Sequence, residues 1–275
     1  MFDLHMHSTA SDGTDTPEQL VTKCAKLRLE CSSITDHDTI DSQQPAVAQA
    51  KKYGLPYLTG VEFSVRHEGE LHILGYGVDI LDAHFCAELE DLRSSRMERI
   101  DCILEKLRAC NVSISREDVV RNASGNTLGR PHVALALIEK GYAADFTEAF
   151  GKYLNEEGLA YVKRRKLNPQ DAIKLILDAG GTAVLAHPKF IRTRNMEALA
   201  AEMKEMGLGG LEAYYPAHTD QEAQRFEDIA KRIGLLVTSG SDYHGAMRMH
   251  SAIASERRKS RYLKESLQKI MMKYL

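Results

Sequence analysis

A strand, a polar motif and a helix recur in that order along most of this chain, and the alternation constrains its fold more than any other feature. A short apolar stretch at 2–8 leads to Asp15-Thr16-Pro17-Glu18, where Thr16 suits a helix cap and Pro17 a first helical position. That helix runs to about Leu29 with Leu20, Cys24 and Leu27 on one face. Ser32-Ser33-Ile34-Thr35 is a second strand and 41–53 a second helix, and strands follow near 57–65 and 70–77. After an interruption the order resumes as helix 168–179, strand 182–186, helix 195–206, strand 210–215, helix 219–233 and strand 235–240. Such alternation implies parallel strands with crossover helices, hence an α/β protein. About seven strands predict a closed or nearly closed barrel rather than an open sheet.

The interruption, roughly 82–165, shows helical periodicity only. Phe85, Leu89, Leu92, Arg96, Ile100, Ile103 and Leu107 step by three or four, so one face is apolar except at Arg96. A helix over 82–109 would be about 40 Å long, enough to carry a lobe beyond the barrel. Shorter helices near 115–122, 131–140 and 146–154 follow. The expected organisation is a barrel formed by 1–81 and 166–275, with 82–165 an inserted α-helical lobe capping its active end.

With 275 residues, 43% hydrophobic, the chain can bury one large core or a core with an inserted lobe. A net charge of −3 argues against a bulk or duplex nucleic-acid binder. Mean hydropathy is −0.34, and no apolar run approaches the roughly 18 residues that span a bilayer. The start Met1-Phe2-Asp3-Leu4-His5 has neither a basic segment nor an apolar run, which predicts a cytoplasmic protein. Cys24, Cys31, Cys86, Cys102 and Cys110 form no C-x-x-C unit; Cys24 and Cys102 fall in apolar helical patterns, and the set reads as reduced, mostly structural thiols. Residues 256–275 read as a basic amphipathic helix on the barrel's flank, too short and too mixed in charge for a membrane.

Chemistry concentrates at the strand ends. His5-Met6-His7 ends the first strand, and residues i and i+2 of a strand face one side. Asp12 follows in Ser11-Asp12-Gly13. Thr35-Asp36-His37-Asp38 ends the second strand and Gly60-Val61-Glu62 the third, while His72 opens the fourth. Ala186-His187-Pro188 follows the insertion, and Ser241-Asp242-Tyr243-His244-Gly245 closes the set. One buried histidine usually satisfies a nearby carbonyl. Six histidines and three carboxylates at one end are costly unless cations neutralise them. With no cysteine among them, the donors suit Mn, Fe or Zn rather than a thiolate zinc site. His67, His84, His218 and His250 fit no ligand pattern and read as surface residues, and Met196, Met203 and Met206 read as helix packing.

Together these motifs resemble the PHP (polymerase and histidinol phosphatase) family over roughly 1–80 and 166–250. The resemblance implies a distorted (β/α)7 barrel with a two- or three-metal phosphoesterase site, Mn favoured. It implies that His5, His7, Glu62 and Asp242 hold one metal, that Glu62 bridges to a second held by His72 and His187, and that Asp12, His37 and His244 hold a third. Several relatives have His where this chain has Asp12, and a hard carboxylate there is compatible with Mn.

The insertion also resembles that of the small nucleotide-directed branch, through Gly129-Arg130-Pro131-His132 at a helix start. Arg130 can grip a phosphate bidentately there; the plain alternative is an exposed Arg and a capping His. Lys163-Arg164-Arg165-Lys166 is a basic run, usually just a solvated surface, placed to rim the site for a polyanion. Lys163 stands where the family pattern has Pro after Tyr161-Val162.

The expected activity is hydrolysis of phosphate esters of nucleotides, such as nucleoside 3',5'-bisphosphates, or of short oligonucleotides, by a metal-activated hydroxide. Glu62 would bridge the metals, Asp242 would orient the nucleophile, and His132 would protonate the leaving oxygen; Arg130, His132 and Lys163 would bind substrate. The alternatives are a histidinol-phosphate or other small-molecule phosphatase, a polymerase-associated module, and a non-catalytic metal-stabilised binding domain.

Overall fold

The computed structural model describes residues 1–122, 128–163, 165–247, 252–256 and 258–275. Strand β1 (Phe2–Asp3) leads to helix α1 (Pro17–Lys26), β2 (Cys31–Ser32) and α2 (Gln43–Tyr53), then β3 (Gly60–Ser64) and β4 (His72–Tyr76). Five helices follow without a strand: α3 (Ala83–Ala109), α4 (Arg116–Arg121), α5 (Arg130–Glu139), α6 (Phe146–Ala149), which runs into a π-helical turn at Phe150–Leu154, and α7 (Pro169–Asp178). Alternation then returns with β5 (Thr182–Leu185), α8 (Met196–Glu205), β6 (Gly210–Tyr214), α9 (Asp220–Ile233), β7 (Leu236–Ser239) and α10 (Arg261–Tyr274).

Local chemistry sets several boundaries as the sequence predicts. Thr16 and Gln19 form a capping box ahead of Pro17, and α9 begins with another from Thr219 and Glu222. Gly54 ends α2 in the left-handed conformation, at φ 62°. Met196, Met203 and Met206 pack under α8, and α10 buries Leu263, Leu267 and Ile270 against the main core.

The strands form a mixed arrangement rather than an all-parallel barrel. β1 pairs with β2, and β3 to β7 form a second sheet in sequence order, so no single closed barrel is present among the described residues. Isolated parallel bridges Met6–Tyr243, Ser32–Tyr57 and His37–Glu62 link the two sheets. β4 runs antiparallel to both β3 and β5. The four residues from Arg66 to Gly69 between Val65 and Glu70 allow only a hairpin, whereas a parallel return needs a long crossover. This reversal explains His72. At the start of a reversed strand it pairs with Ser64 at the end of β3, and so reaches the same end as the other motifs.

A large core gathers β3–β7 with α7 to α10, a smaller one lies under α1 and α2, and a third, from Ile100 to Ala160, belongs to the helical insertion. Helix α3 serves two of them. Phe85, Leu89 and Leu92 enter the main core, and Ile100, Ile103 and Leu107 enter the core of the insertion. Arg96 marks the changeover: its guanidinium donates to Asp38 Oδ2 at 2.6 Å, with both side chains nearly buried. Removing one partner of a buried pair typically costs about 3–5 kcal/mol. Arg96→Met should therefore lower the unfolding free energy by about 3 kcal/mol in urea titrations, and a change within about 0.5 kcal/mol would make the pair a surface contact.

Three expectations about burial are revised. His218 is buried, with Nδ1 2.9 Å from the Ala213 carbonyl, because the turn after β6 folds it back against Phe226. Leu27, at the C-cap of α1, is 44% exposed, beyond the helix face that packs. Cys102 is exposed, one position off the stripe that faces the core of the insertion. His250 and Arg164 lie outside the described residues. No described helix is long and apolar enough to cross a membrane.

Candidate metal centre

Backbone pairing brings the motifs together. The His7 amide donates to the Tyr243 carbonyl and the Asp242 amide to the His5 carbonyl, both at 2.8 Å, so segments 5–7 and 242–243 run side by side. The Asp38 amide donates to the Glu62 carbonyl, and the Glu62 amide to that of Asp36, which sets His37 beside Glu62. The loop carrying Asp12 is held by the buried Asp36 carboxylate, which accepts from the Ser8 amide and the hydroxyls of Ser8 and Ser11. Gly13 is needed in that loop, since a Cβ there would lie 2.2 Å from the His7 carbonyl oxygen.

Glu62 is the centre of the arrangement. Its Oε1 lies 2.8 Å from His72 Nδ1 and 3.2 Å from His187 Nε2. Its Oε2 lies 3.0 Å from His37 Nδ1, 3.2 Å from His7 Nε2 and 3.4 Å from His5 Nε2. Asp242 Oδ1 lies 3.2–3.5 Å from ring nitrogens of His5, His7 and His244. Asp12 faces His244 at 3.3 Å, His7 at 3.7 Å and His37 at 3.9 Å. All nine candidate ligands are thus brought together.

Their atoms form four overlapping donor sets, each within 4.8 Å: His7-Asp12-His37-His244, His5-His7-Asp242, His5-Glu62-His187 and His37-Glu62-His72. Glu62 belongs to two sets, the position a bridging ligand requires. His7 joins the Asp12 set as well, a sharing that spacing along the chain did not indicate.

The electrostatics fit cations. Burial pushes the Glu62 carboxyl up, but His37, His72 and His5 outweigh it and hold it well below the usual carboxylate range. Burial also opposes ionisation of Asp242, and His5, His7 and His244 keep it low. Conversely, burial lowers His7, yet Asp242, Glu62 and Asp12 raise it to about 10. His5 Nε2, both ring nitrogens of His7, His244 Nε2 and Glu62 Oε2 are buried and make no hydrogen bond, although all are good ligand atoms. Buried unsatisfied donors of this chemistry, converging from several strands, fit divalent ions.

Residues behind the ligands escaped the sequence reading. Glu212, mid-strand in β6, reaches His5 and His187, and the Tyr215 hydroxyl donates to Asp242 Oδ2 at 2.8 Å. A carboxylate inside a buried strand was the available signal for Glu212. A cleft of about 240 Å³ opens over Glu62, His37, His72, His187 and Asp242, with Phe190 and Tyr215 on its wall. A larger groove of about 560 Å³ lies beyond Asp38, along Thr39–Asp41 and α3, and contains none of the nine.

The expected substrate residues come from the helical insertion. Arg130, His132 and Lys163 do not line the smaller cleft. His132 caps α5, its Nδ1 accepting from the Gly129 amide at 3.0 Å; burial lowers its pKa, while the charge of Asp12 acts the other way. Arg130 is half-buried rather than exposed, donates to the Leu154 carbonyl and lies over Phe150. Burial lowers its pKa too, and Tyr161 and Glu70 oppose that. Arg99 on α3, also missed, holds the Val162 carbonyl at 2.7 Å, and burial and then the charge of Arg130 push its pKa down to about 10. Lys163 is exposed, and Arg165 of the basic run pairs with Asp91.

Known proteins share this framework. A 3',5'-nucleoside bisphosphate phosphatase of Chromobacterium violaceum is 33% identical over 88% of this chain and 86% of its own length. The 5'-3' exoribonuclease Rnm of Escherichia coli is 33% identical over 89% of this chain and 85% of its own. A crystal structure from Bifidobacterium adolescentis, provisionally assigned as a metal-dependent phosphoesterase, superposes with a TM-score of 0.85 at 27% identity, covering 100% of this chain and 96% of that one. Residues 3–272 match the PHP domain. With its histidine and carboxylate motifs converged on Glu62 and the match extending over nearly its whole length, the chain belongs to the PHP domain family.

Proposed function

We propose that the protein is a metal-dependent phosphoesterase hydrolysing nucleoside 3',5'-bisphosphates or short oligonucleotides, carried above all by the five imidazoles gathered on the single carboxylate of Glu62. The three carboxylates and six histidines would hold two or three divalent ions, with Mn favoured over Fe and Zn by the hard donor at Asp12. Such ions supply Lewis acidity and an activated water at phosphorus. The chain supplies the rest. Glu62 would serve two of the donor sets, and Asp242, steadied by the Tyr215 hydroxyl, would orient the attacking group. Arg130 on the insertion grips a second anionic group, Lys163 rims its approach, and His132 offers Nε2 toward the leaving oxygen.

Two sheets joined by three parallel bridges support a distorted (β/α)7 barrel formed by 1–81 and 166–275. The separate core from Ile100 to Ala160 supports 82–165 as a capping lobe. Free thiols at all five cysteines support a cytoplasmic setting.

The test is phosphate release by Mn²⁺-loaded protein from nucleoside bisphosphates, mononucleotides, dinucleotides and histidinol phosphate. Turnover should be fastest on the bisphosphate or dinucleotide, should vanish after chelation and should return with Mn²⁺. At a hundredfold excess over Kd, Mn²⁺ should add about 2.7 kcal/mol of stability per site. A preference for histidinol phosphate, or full turnover after chelation, would overturn the reading.

A further inference from the structure

We infer that Glu212 is a positioning residue that aims His5 and His187 at the metal centre together. The inference rests on the metal-centre reading above and names a residue outside its nine ligands. Glu212 is wholly buried in β6, and its carboxylate serves two different strand ends. His5 Nδ1 lies 3.0 Å from Oε1 and 3.2 Å from Oε2, and Oε2 also accepts from the His187 amide at 2.9 Å. With Nδ1–H donated to a carboxylate, the His5 lone pair is placed on Nε2, the nitrogen that faces Glu62 and Asp242. The other contact secures a backbone that resists its own shape. His187 has φ of 24°, in the left-handed region, and an amide held by a carboxylate stabilises it there.

Two further features build this junction. A bulge falls between Glu212 and Tyr214, so β6 sends Glu212 to His5 and, just beyond, Tyr215 to Asp242. Gly240 closes the space: a Cβ there would lie 2.2 Å from the His5 Cβ and 2.7 Å from Glu212 Oε1. A glutamine at 212 loses the charge and puts an NH₂ donor in place of one acceptor oxygen beside two converging N–H groups, which weakens the hold on them.

The experiment titrates Mn²⁺ into chelator-stripped protein by calorimetry, with circular dichroism and thermal unfolding of the metal-free form alongside. Glu212→Gln should weaken the tightest Mn²⁺ site roughly ten- to a hundredfold while the metal-free protein keeps its secondary structure and a cooperative transition. In a His5→Ala background the same substitution should cost clearly less, since one of its two clients is gone. Unchanged affinity in Glu212→Gln, or equal losses in both backgrounds, would overturn the inference. If Glu212→Gln does not fold, Glu212→Asp, which keeps the charge but withdraws both oxygens, replaces it in both backgrounds. Unfolding of both would make Glu212 a folding residue instead. A wild-type protein that binds no Mn²⁺ would refute the metal-centre reading itself, a result distinct from all of these.

Discussion

Glu62→Gln and Asp242→Asn should each lower kcat by at least roughly a hundredfold at saturating Mn²⁺ while leaving the metal-free protein folded. Glu62 uses both oxygens, one toward His72 and His187 and the other toward His5, His7 and His37. An amide of the same shape keeps one oxygen and turns an NH₂ donor toward the remaining ring nitrogens. It also removes the charge that balances the cations, so metal content should fall with turnover. Asp242 is less symmetrical: Oδ1 faces three imidazoles and Oδ2 accepts the Tyr215 hydroxyl, so its amide loses the charge and one of the two contacts. The measurement is steady-state turnover on a nucleoside bisphosphate, with metal analysis and circular dichroism on the same samples. Near wild-type turnover in either variant would mean that the centre lies elsewhere.

Arg130→Ala should separate nucleotide-directed activity from general phosphatase activity. Arg130 lies on the helical insertion, at the start of α5, with Arg99 close enough to feel its charge. Among the described residues neither guanidinium forms an ion pair with a carboxylate, and half-buried cations in that state are suited to an anion from outside. Losing one charge-assisted contact costs about 1.5–3 kcal/mol, or roughly ten- to a hundredfold in kcat/KM. That loss should appear on a nucleoside bisphosphate or dinucleotide and be nearly absent on p-nitrophenyl phosphate, which has no second anionic group. Bound Mn²⁺ should be unchanged, because Arg130 is not a ligand. Equal losses on both substrates would place Arg130 at the reacting phosphate or in the fold. No loss on either would leave the nucleotide assignment without its main support.

Most elements were legible because their signals are local. The Thr16-Pro17 start acts through a few neighbouring bonds and α1 begins there, and the periodicity expected over 41–53, 168–179 and 219–233 is met by helices Gln43–Tyr53, Pro169–Asp178 and Asp220–Ile233. The strand-end histidines were legible for a related reason: polar residues recurring beside short apolar runs are not explained by packing alone. Even Arg96 left a trace, as the one break in the apolar stripe of α3, where that helix passes from one core to the other.

What the sequence alone determined was therefore the order of the elements and the helical interruption, written in short-range periodicity and residue type, and, through the resemblance of its motifs to the PHP family, the nine candidate ligands. Tertiary structure decided the direction of β4, the sharing of His7 between donor sets, the burial of His218 and the roles of Glu212 and Arg99. The reason is physical. A hydrogen bond between Glu212 and His5 joins residues 207 positions apart, and one between Arg99 and Val162 joins residues 63 apart. No local pattern encodes such a pair, and burial supplies the low-dielectric setting in which a carboxylate can orient an imidazole.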